Sequence, residues 1–337
     1  MSILSRKSLV SRSLAKASLT ALAAVALMAG SASAQTEIKL GHVGAPGSLF
    51  AQSAELYAAK VNAQLGDKAK VVVYGSSQLG SDSELLKKLK LGTADLALVS
   101  TVMTSVAPEF GVFEMPYLVQ NRDHAARIAK DVTHPVLGPV ALKAGYRILG
   151  VWENGYREIT NNKRPIVKPA DLDGVKLRVP GGVWRVKMFK AYGASPSPME
   201  LKEVFVALQT GVMDGQENPL TQIYSQKFQE VQKYLSLTGH VYTPAYLAGG
   251  ASWSRLPADV QKVLSDTAVA LEPEILKLAA KLDGELIDKM KASGIQVNEA
   301  DKPAFVAASK AIYEEFAKEV PMGKELIDKS LGLAKGS

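Results

Sequence analysis

The sequence predicts an α/β fold with a largely parallel sheet. Short apolar, β-branched runs alternate with stretches of helical period along most of its length. The run Ala94–Ser100 is almost entirely apolar, as in a strand buried on both faces. Beyond residue 34 no apolar run approaches the roughly 20 residues of a membrane span. The roughly 300 residues that follow exceed what one core usually fills, so two domains are expected.

Glu37–Val43 reads as the first strand, and Leu49–Leu65 as an amphipathic helix after Pro46-Gly47-Ser48. Val71–Tyr74 is a β-branched strand. A helix over Ser81–Leu91 follows, with Ser81 or Asp82 as N-cap and Glu84 in the first turn. Asp123–Lys130 and Val136–Ala144 continue the helical pattern, and Arg147–Glu153 is another strand. From Asn154 the composition turns polar and proline-rich, which suggests a crossing into the second domain. There Gly174–Pro180 reads as a short strand, with helices over Val183–Tyr192, Lys202–Thr210 and Leu220–Val231. Tyr242–Ser252 is a strand. Leu256–Ala292 is the longest helical pattern, with Pro257 in its first turn and Pro273 placed to kink or break it. Ile295–Val297 and Lys302–Lys318 read as a last strand and helix.

Arg6, Lys7, Arg12 and Lys16 precede the apolar stretch Ala17–Gly30, and Ala32-Ser33-Ala34 follows it. This is the pattern of a secretory leader cut between Ala34 and Gln35, so an exported, periplasmic product is expected. Removing residues 1–34 lowers the formal charge from +7 to +3, with 36 basic against 33 acidic residues. No basic run interleaved with aromatics is left, and nucleic acid is not an expected partner. Cysteine is absent, which excludes a thiolate nucleophile, a thiolate metal site and a disulfide. His42, His124, His134 and His240 show no metal-ligand spacing, and no metal or cofactor is expected.

Catalytic signatures are equally scarce. Neither a G-x-S-x-G elbow nor a phosphate-binding loop occurs, and Gly41-x-x-Gly44-x-x-Gly47 lacks the spacing of a dinucleotide site. Asp214 and Glu217 read as a polar turn after Thr210-Gly211 rather than as a catalytic carboxylate pair. No enzymatic activity is expected. The stretch with the most chemical promise is Gly174-Val175-Lys176-Leu177-Arg178-Val179-Pro180, where two cations lie in a half-buried strand beside a Gly/Pro exit. Its period alone leaves open whether either cation faces a cleft.

Several ordered segments carry a resemblance. They are Gln78-Leu79-Gly80, Leu91-Gly92-Thr93-Ala94-Asp95, Pro108-Glu109-Phe110 and Asn154-Gly155-Tyr156-Arg157. Then follow Asp171-Leu172-x-Gly174-x-Lys176-x-Arg178-Val179-Pro180, Gly193-Ala194-Ser195-Pro196, and Ala207-Leu208-Gln209-Thr210-Gly211-x-x-Asp214-Gly215-x-Glu217-Asn218-Pro219. From about residue 37 to residue 255 the chain resembles the solute-binding proteins of tripartite ATP-independent periplasmic (TRAP) transporters, of the C4-dicarboxylate-binding type.

The resemblance implies a two-lobed periplasmic binding protein clamshell, with a long helix crossing both lobes and a carboxylate ligand between them. Residues 35–155 plus about 244–283 are expected in the first lobe, and about 156–243 plus 284–337 in the second. By the same resemblance Arg178 pairs with the ligand carboxylate, supported by Arg157 and Asn218. Guanidinium offers a planar fork that fits a carboxylate, and lysine does not. Lys176 is assigned to the opposite strand face. His42, Gln78 and Ser100 lie at expected strand ends, where α/β sheets place ligands, and Trp152, Trp184 and Tyr242 are candidate cleft-lining aromatics. One departure stands out: Leu201 occupies a position where family members often carry an aromatic, and it cannot stack on a ligand. The implied partners are a small organic acid and the small and large TRAP membrane subunits. A hydroxylated or sugar-derived monocarboxylate is favoured over a C4-dicarboxylate or an aromatic acid. An exported α/β enzyme and the binding component of an ATP-driven transporter are the alternatives from other classes.

Overall fold

The computed structural model describes residues 35–334; the expected leader and its cleavage point after Ala34 lie outside the described residues. The chain begins with strand β1 (Thr36–Gly41), helix α1 (Leu49–Leu65), β2 (Ala69–Tyr74), α2 (Asp82–Leu91) and β3 (Leu96–Val99). Local chemistry fixes the helix starts. Ser48 Oγ accepts from the Ala51 amide, and Ser81 closes a capping box in which Glu84 Oε2 receives the Ser81 amide at 2.7 Å. Ser81 rather than Asp82 is therefore the cap, which leaves the Asp82 side chain free of that duty. Gly92 ends α2 in the left-handed region at φ 70°.

Two short 3-10 turns lead to α3 (Arg122–Ile128), which runs through a π-helical segment at Ala129–Leu137 into α4 (Gly138–Lys143). Pro135 lies inside that segment, and a proline ring cannot share an α-helical turn with the carbonyl four residues back. Strand β4 (Arg147–Asn161) follows, then β5 (Lys176–Val179), α5 (Val183–Ala191), β6 (Ser195–Pro198) and α6 (Leu201–Gln209). Next come β7 (Gly215–Pro219), α7 (Leu220–Ser225), β8 (Tyr234–Leu237) and β9 (Tyr242–Gly249). The tail comprises α8 (Ala258–Ala270), α9 (Glu272–Ala292), β10 (Gln296–Glu299), α10 (Lys302–Ala308), α11 (Lys310–Glu319) and α12 (Gly323–Gly332).

The strands are ordered β2-β1-β3-β9-β4-β7-β5-β6, with β8 beside β4 and β10 beside β8. Strand β4 is the member that changes company. Its residues Arg147–Tyr156 pair antiparallel with β9, whereas Arg157–Asn161 pair antiparallel with β7. The last three of these, Ile159–Asn161, also pair with β8 on the other side. The sheet is mixed, not largely parallel as expected: β1/β3, β5/β6, β5/β7 and β8/β10 are parallel, and every β4 pairing and β3/β9 are antiparallel.

Three further expectations need correction. The sequence pattern ends β4 at Glu153, with a crossing at Asn154. The strand runs on to Asn161 because Arg157, Glu158, Thr160 and Asn161 are buried, and ladder bonds satisfy their backbone. Gly215–Pro219, read as a turn, is a fully buried strand of polar residues. The helix expected over Leu220–Val231 stops at Ser225, and Lys227 takes a left-handed φ of 60° before a 3-10 turn. The long helical pattern breaks at Leu271, so that Pro273 falls in the first turn of α9, where its missing amide costs nothing. Helix α9 then packs against β4, α1, α3 and α7.

Two glycines give opposite predictions. Gly284, exposed within α9, has no atom within 4 Å of an added Cβ, so Gly284→Ala is expected to raise unfolding free energy by about 0.5–1 kcal/mol. A Cβ on Gly250 would overlap the Leu89 carbonyl, so Gly250→Ala is expected to cost about 1–3 kcal/mol. Urea unfolding of the two variants beside the parent chain checks both signs.

Candidate functional site

Where β4 changes partners, the ends of several elements converge on a cavity. Its polar wall holds Asn154 and Arg157 from β4, Arg178 from β5, Asn218 from β7 and Gln222 from α7. Asp82 from α2 and Ser100 and Thr101 after β3 complete it. Val43, Phe50, Val102, Pro180 and Leu201 supply the apolar surface. Between these walls lies about 390 Å³ of atom-free space, open solvent at the mouth included.

Charge in this wall is organised around Glu217, which is fully buried on β7. Its carboxylate takes Arg157 Nη2 at 3.0 Å and Arg185 Nη1 at 2.7 Å, and His240 Nε2 donates to it at 3.1 Å. Arg185 also donates through Nε to Glu114 Oε2 at 2.7 Å. Burial pushes the Glu217 carboxyl up, but Arg157 and Arg185 outweigh it and hold it well below the usual carboxylate range. Burial pulls His240 down to about 4, so at neutral pH it is an uncharged donor that receives Thr238 Oγ1 on Nδ1. Arg157 Nη2 also donates to Asn218 Oδ1 at 3.1 Å, and Asn218 Nδ2 donates to Gln216 Oε1 at 2.6 Å. Arg157 thus aligns Asn218.

Arg178 differs from its neighbours. It is 3% exposed, yet among the described residues it makes no ion pair; Nε and Nη2 both donate to the Met199 carbonyl, at 2.9 and 2.5 Å. Burial, then the nearby Arg157 charge, pull its guanidinium down to about 10. It is still cationic at neutral pH, held in place by a backbone oxygen and without a counter-ion. Across the cavity Asp82 is pushed up to about 7, first by burial and then by Glu200, against the opposing pull of Arg178 and Arg157.

The cavity brings together Arg178, Asn218, Arg157 and Ser100 of the residues selected from sequence. The other five do not line it. His42 is buried, accepts from the Gly44 amide on Nδ1 and stands edge-on behind Phe50. Gln78 is exposed in the turn after β2. Trp152 donates from Nε1 to the Ala268 carbonyl at 2.9 Å, and it shares with Tyr242 a different cavity of about 850 Å³ beside α9. Trp184 is core, its ring 5.0 Å from that of Phe316. Lys176, assigned to the opposite face, has the same parity as Arg178 on β5 and therefore the same face; it is exposed because it opens the strand. Glu217, read as part of a turn, is the buried hub.

Sequence reasoning passes over Asp82, Thr101, Asn154 and Gln222. In sequence Asp82 presents itself only as a cap. The signal for Asn154 is Gly155 behind it: β4 shifts register against β9 between Glu153 and Gly155, so Asn154 is the extra residue of a bulge. Bulges re-aim side chains next to sites. An added Cβ on Gly155, at φ 130°, would meet Pro219 Cβ at 3.0 Å, so the position needs glycine.

The profile of the bacterial extracellular solute-binding protein family 7 matches residues 40–319, and the chain belongs to that family. Within it the chain is a solute-binding protein of TRAP type, and the members are binding proteins rather than enzymes. It is 33% identical over 305 residues to the sialic acid-binding periplasmic protein of Vibrio cholerae, covering 89% of this chain and 94% of that one. The structure of a TRAP periplasmic solute-binding protein from Polaromonas sp. JS666 bound to D-erythronate superposes with a TM-score of 0.86 at 32% identity, covering 90% of this chain and all of that one. A TRAP periplasmic solute-binding protein from Sulfurospirillum deleyianum with bound succinate superposes with a TM-score of 0.84 at 33% identity, covering 89% and 99%. These are two-lobed proteins, and the α/β fold described above is theirs.

Removing the hub isolates two buried cations. Glu217→Ala is expected to lower unfolding free energy by about 3–5 kcal/mol, because among the described residues Arg157 loses its only paired carboxylate and Arg185 one of two. Denaturant unfolding measures this; a loss under about 1 kcal/mol contradicts the hub.

Proposed function

We propose that this protein captures a small hydroxylated or sugar-derived monocarboxylate in the periplasm. It then delivers the acid to a permease of one small and one large membrane subunit for uptake driven by an ion gradient. The observation that carries the reading is Arg178: a buried guanidinium, fixed in orientation, with no carboxylate of its own. An anion in the cavity supplies the missing charge through a planar two-point contact. The relatives' carboxylate ligands support this, and the succinate-bound one keeps a C4-dicarboxylate as the second reading.

In this reading the work is binding without turnover. Residues 35–155 plus about 244–283 form one lobe, and about 156–243 plus 284–337 the other. The exchange of β4 partners between Tyr156 and Arg157 supports that boundary. Arg178 lies beyond it, while Asp82, Ser100 and Thr101 lie before it. An acid that touches both sides gains contacts only when they approach, so it favours the closed arrangement by that difference in affinity. No helix among the described residues is long and apolar enough to cross a membrane, so the membrane step falls to the partner subunits.

Calorimetry tests the central contact. Arg178→Ala is expected to weaken binding of any ligand acid by at least about 30-fold, the lower end of the loss when one partner of a buried charge pair is removed. Arg178→Lys should also bind weakly because the fork is gone. Wild-type affinity in either variant removes the assignment.

Asp82 gives a pH dependence. An anion bound beside it disfavours its charged form, so binding takes up a proton. Affinity is therefore full below about pH 7 and falls as pH rises through that value. Asp82→Asn should flatten the profile between about pH 6 and 8, and an unchanged slope in that variant excludes Asp82 as its source.

A further inference from the structure

Asn154 presents an unambiguous amide. Its Nδ2 donates to Ser100 Oγ at 3.3 Å and to Thr243 Oγ1 at 3.1 Å. Each of those hydroxyls has one hydrogen, and each has already committed it. Ser100 Oγ donates to the Pro244 carbonyl at 2.6 Å, and Thr243 Oγ1 to the Gly155 carbonyl at 3.3 Å. Both oxygens can therefore only accept from Asn154. Turning the amide over would set Oδ1 against two oxygens that have no hydrogen left to give. Asn154 Oδ1 is thus held on the far side, where it is buried without a partner.

It is not alone in this wall. Thr101 Oγ1 and Gln222 Oε1 are also buried without a hydrogen-bond partner, and both residues line the same cavity. A buried polar atom left unpaired costs about 1–3 kcal/mol, so the amide oxygens of Asn154 and Gln222 call for donors from a ligand, while the Thr101 hydroxyl can give as well as take. The wall is therefore two-sided: Arg178 calls for an anion, and the two amide oxygens call for hydrogen-bond donors. An ionised carboxylate has none to offer. Hydroxyl groups supply them.

We infer that Asn154, Thr101 and Gln222 form a hydroxyl-reading subsite that selects polyhydroxylated monocarboxylates and turns away dicarboxylates. The inference rests on the reading that Arg178 holds the carboxylate. Asn154 is the anchor of the subsite, its acceptor pointed by Ser100 and Thr243. Ser100, whose one hydrogen is committed to the Pro244 carbonyl, acts as a positioning residue. Selection of this kind is strong because an analogue without the hydroxyl leaves the protein's acceptors unpaired in a dry site.

Acids of four carbons separate the terms: D-erythronate, butyrate and succinate share one carboxylate, and beyond it carry three hydroxyls, a plain alkyl tail and a second carboxylate respectively. Galactonate and L-gulonate extend the hydroxylated arm. Titration calorimetry on the chain without residues 1–34 is expected to show at least one hydroxylated acid binding about a hundredfold or more tighter than butyrate and succinate. Thr101→Val, which keeps the shape and removes the hydroxyl, and Gln222→Leu should each reduce that preference about tenfold. Thermal unfolding confirms that each variant is folded, and the two substitutions are independent. If the parent protein binds succinate or butyrate as tightly as every hydroxylated acid, the subsite is overturned and the Arg178 contact stands. The subsite falls in the same way if both folded variants keep the parental preference. If the parent binds none of these acids, the carboxylate reading itself is overturned, and the subsite with it.

Discussion

Charge balance in a dry interior is the constraint on which the site depends. Arg157, Arg178 and Arg185 are all buried where the β4 pairing changes, and among the described residues only Glu114 and Glu217 form ion pairs with them. His240 contributes no charge at neutral pH, because burial holds it deprotonated. Three guanidinium charges share two paired carboxylates, and Asp82, pushed up to about 7 across the cavity, balances the third only in part. The hydrogen bonds decide which charge that is: Glu217 is shared by Arg157 and Arg185, Glu114 serves Arg185, and Arg178 has only the Met199 carbonyl. A buried ion pair contributes little net stability, but an unpaired buried charge is costly. The protein carries that cost at one position, Arg178, and the acid proposed above would relieve it.

The same arrangement explains why two of the three arginines are supports. Arg157 is saturated on its Nε and Nη2 side by Glu217 and Asn218, so its rotamer is set before any ligand arrives. Asn218 is in turn set by Arg157 and Gln216. Arg185 lies farther back and keeps Glu217 in place. Contacts prepared in this way lose little conformational entropy on binding.

Much of the fold is legible in the sequence because apolar periodicity reports burial of apolar residues. The pattern gives helix α1 its observed bounds, and α2, α5, α6 and α9 agree to within a residue or two at the ends that could be tested. What stays hidden is polar structure that is buried. Gly215–Pro219 has no apolar residue except its proline, so nothing in its pattern marks a central strand. The second half of β4 is polar for the same reason, and its composition imitates a domain crossing. The site is legible in a different way. Arg178, Arg157 and Asn218 emerge from motif resemblance, whereas Trp152, Trp184 and Tyr242 stand out only as aromatics and prove to be core or to line another cavity. Asp82, Thr101, Asn154 and Gln222 are ordinary polar residues in sequence. Burial alone separates them from surface polar residues, and burial is a property of the fold.

Strand β4 passes unbroken from the β9 partnership to the β7 partnership over fifteen residues. A strand advances about 3.3 Å per residue and cannot stretch, so it acts as a strap of fixed length with no slack loop to let out. Any parting of the two sides must then come from twisting or bending the strap. It is most pliant where its ladder is interrupted, at the register shifts around Leu149 and Asn154. One of the two compliant points is thus the residue whose side-chain oxygen stands unpaired in the cavity wall. In the reading proposed above, a ligand hydroxyl that pairs this oxygen would stiffen the strap at the same point.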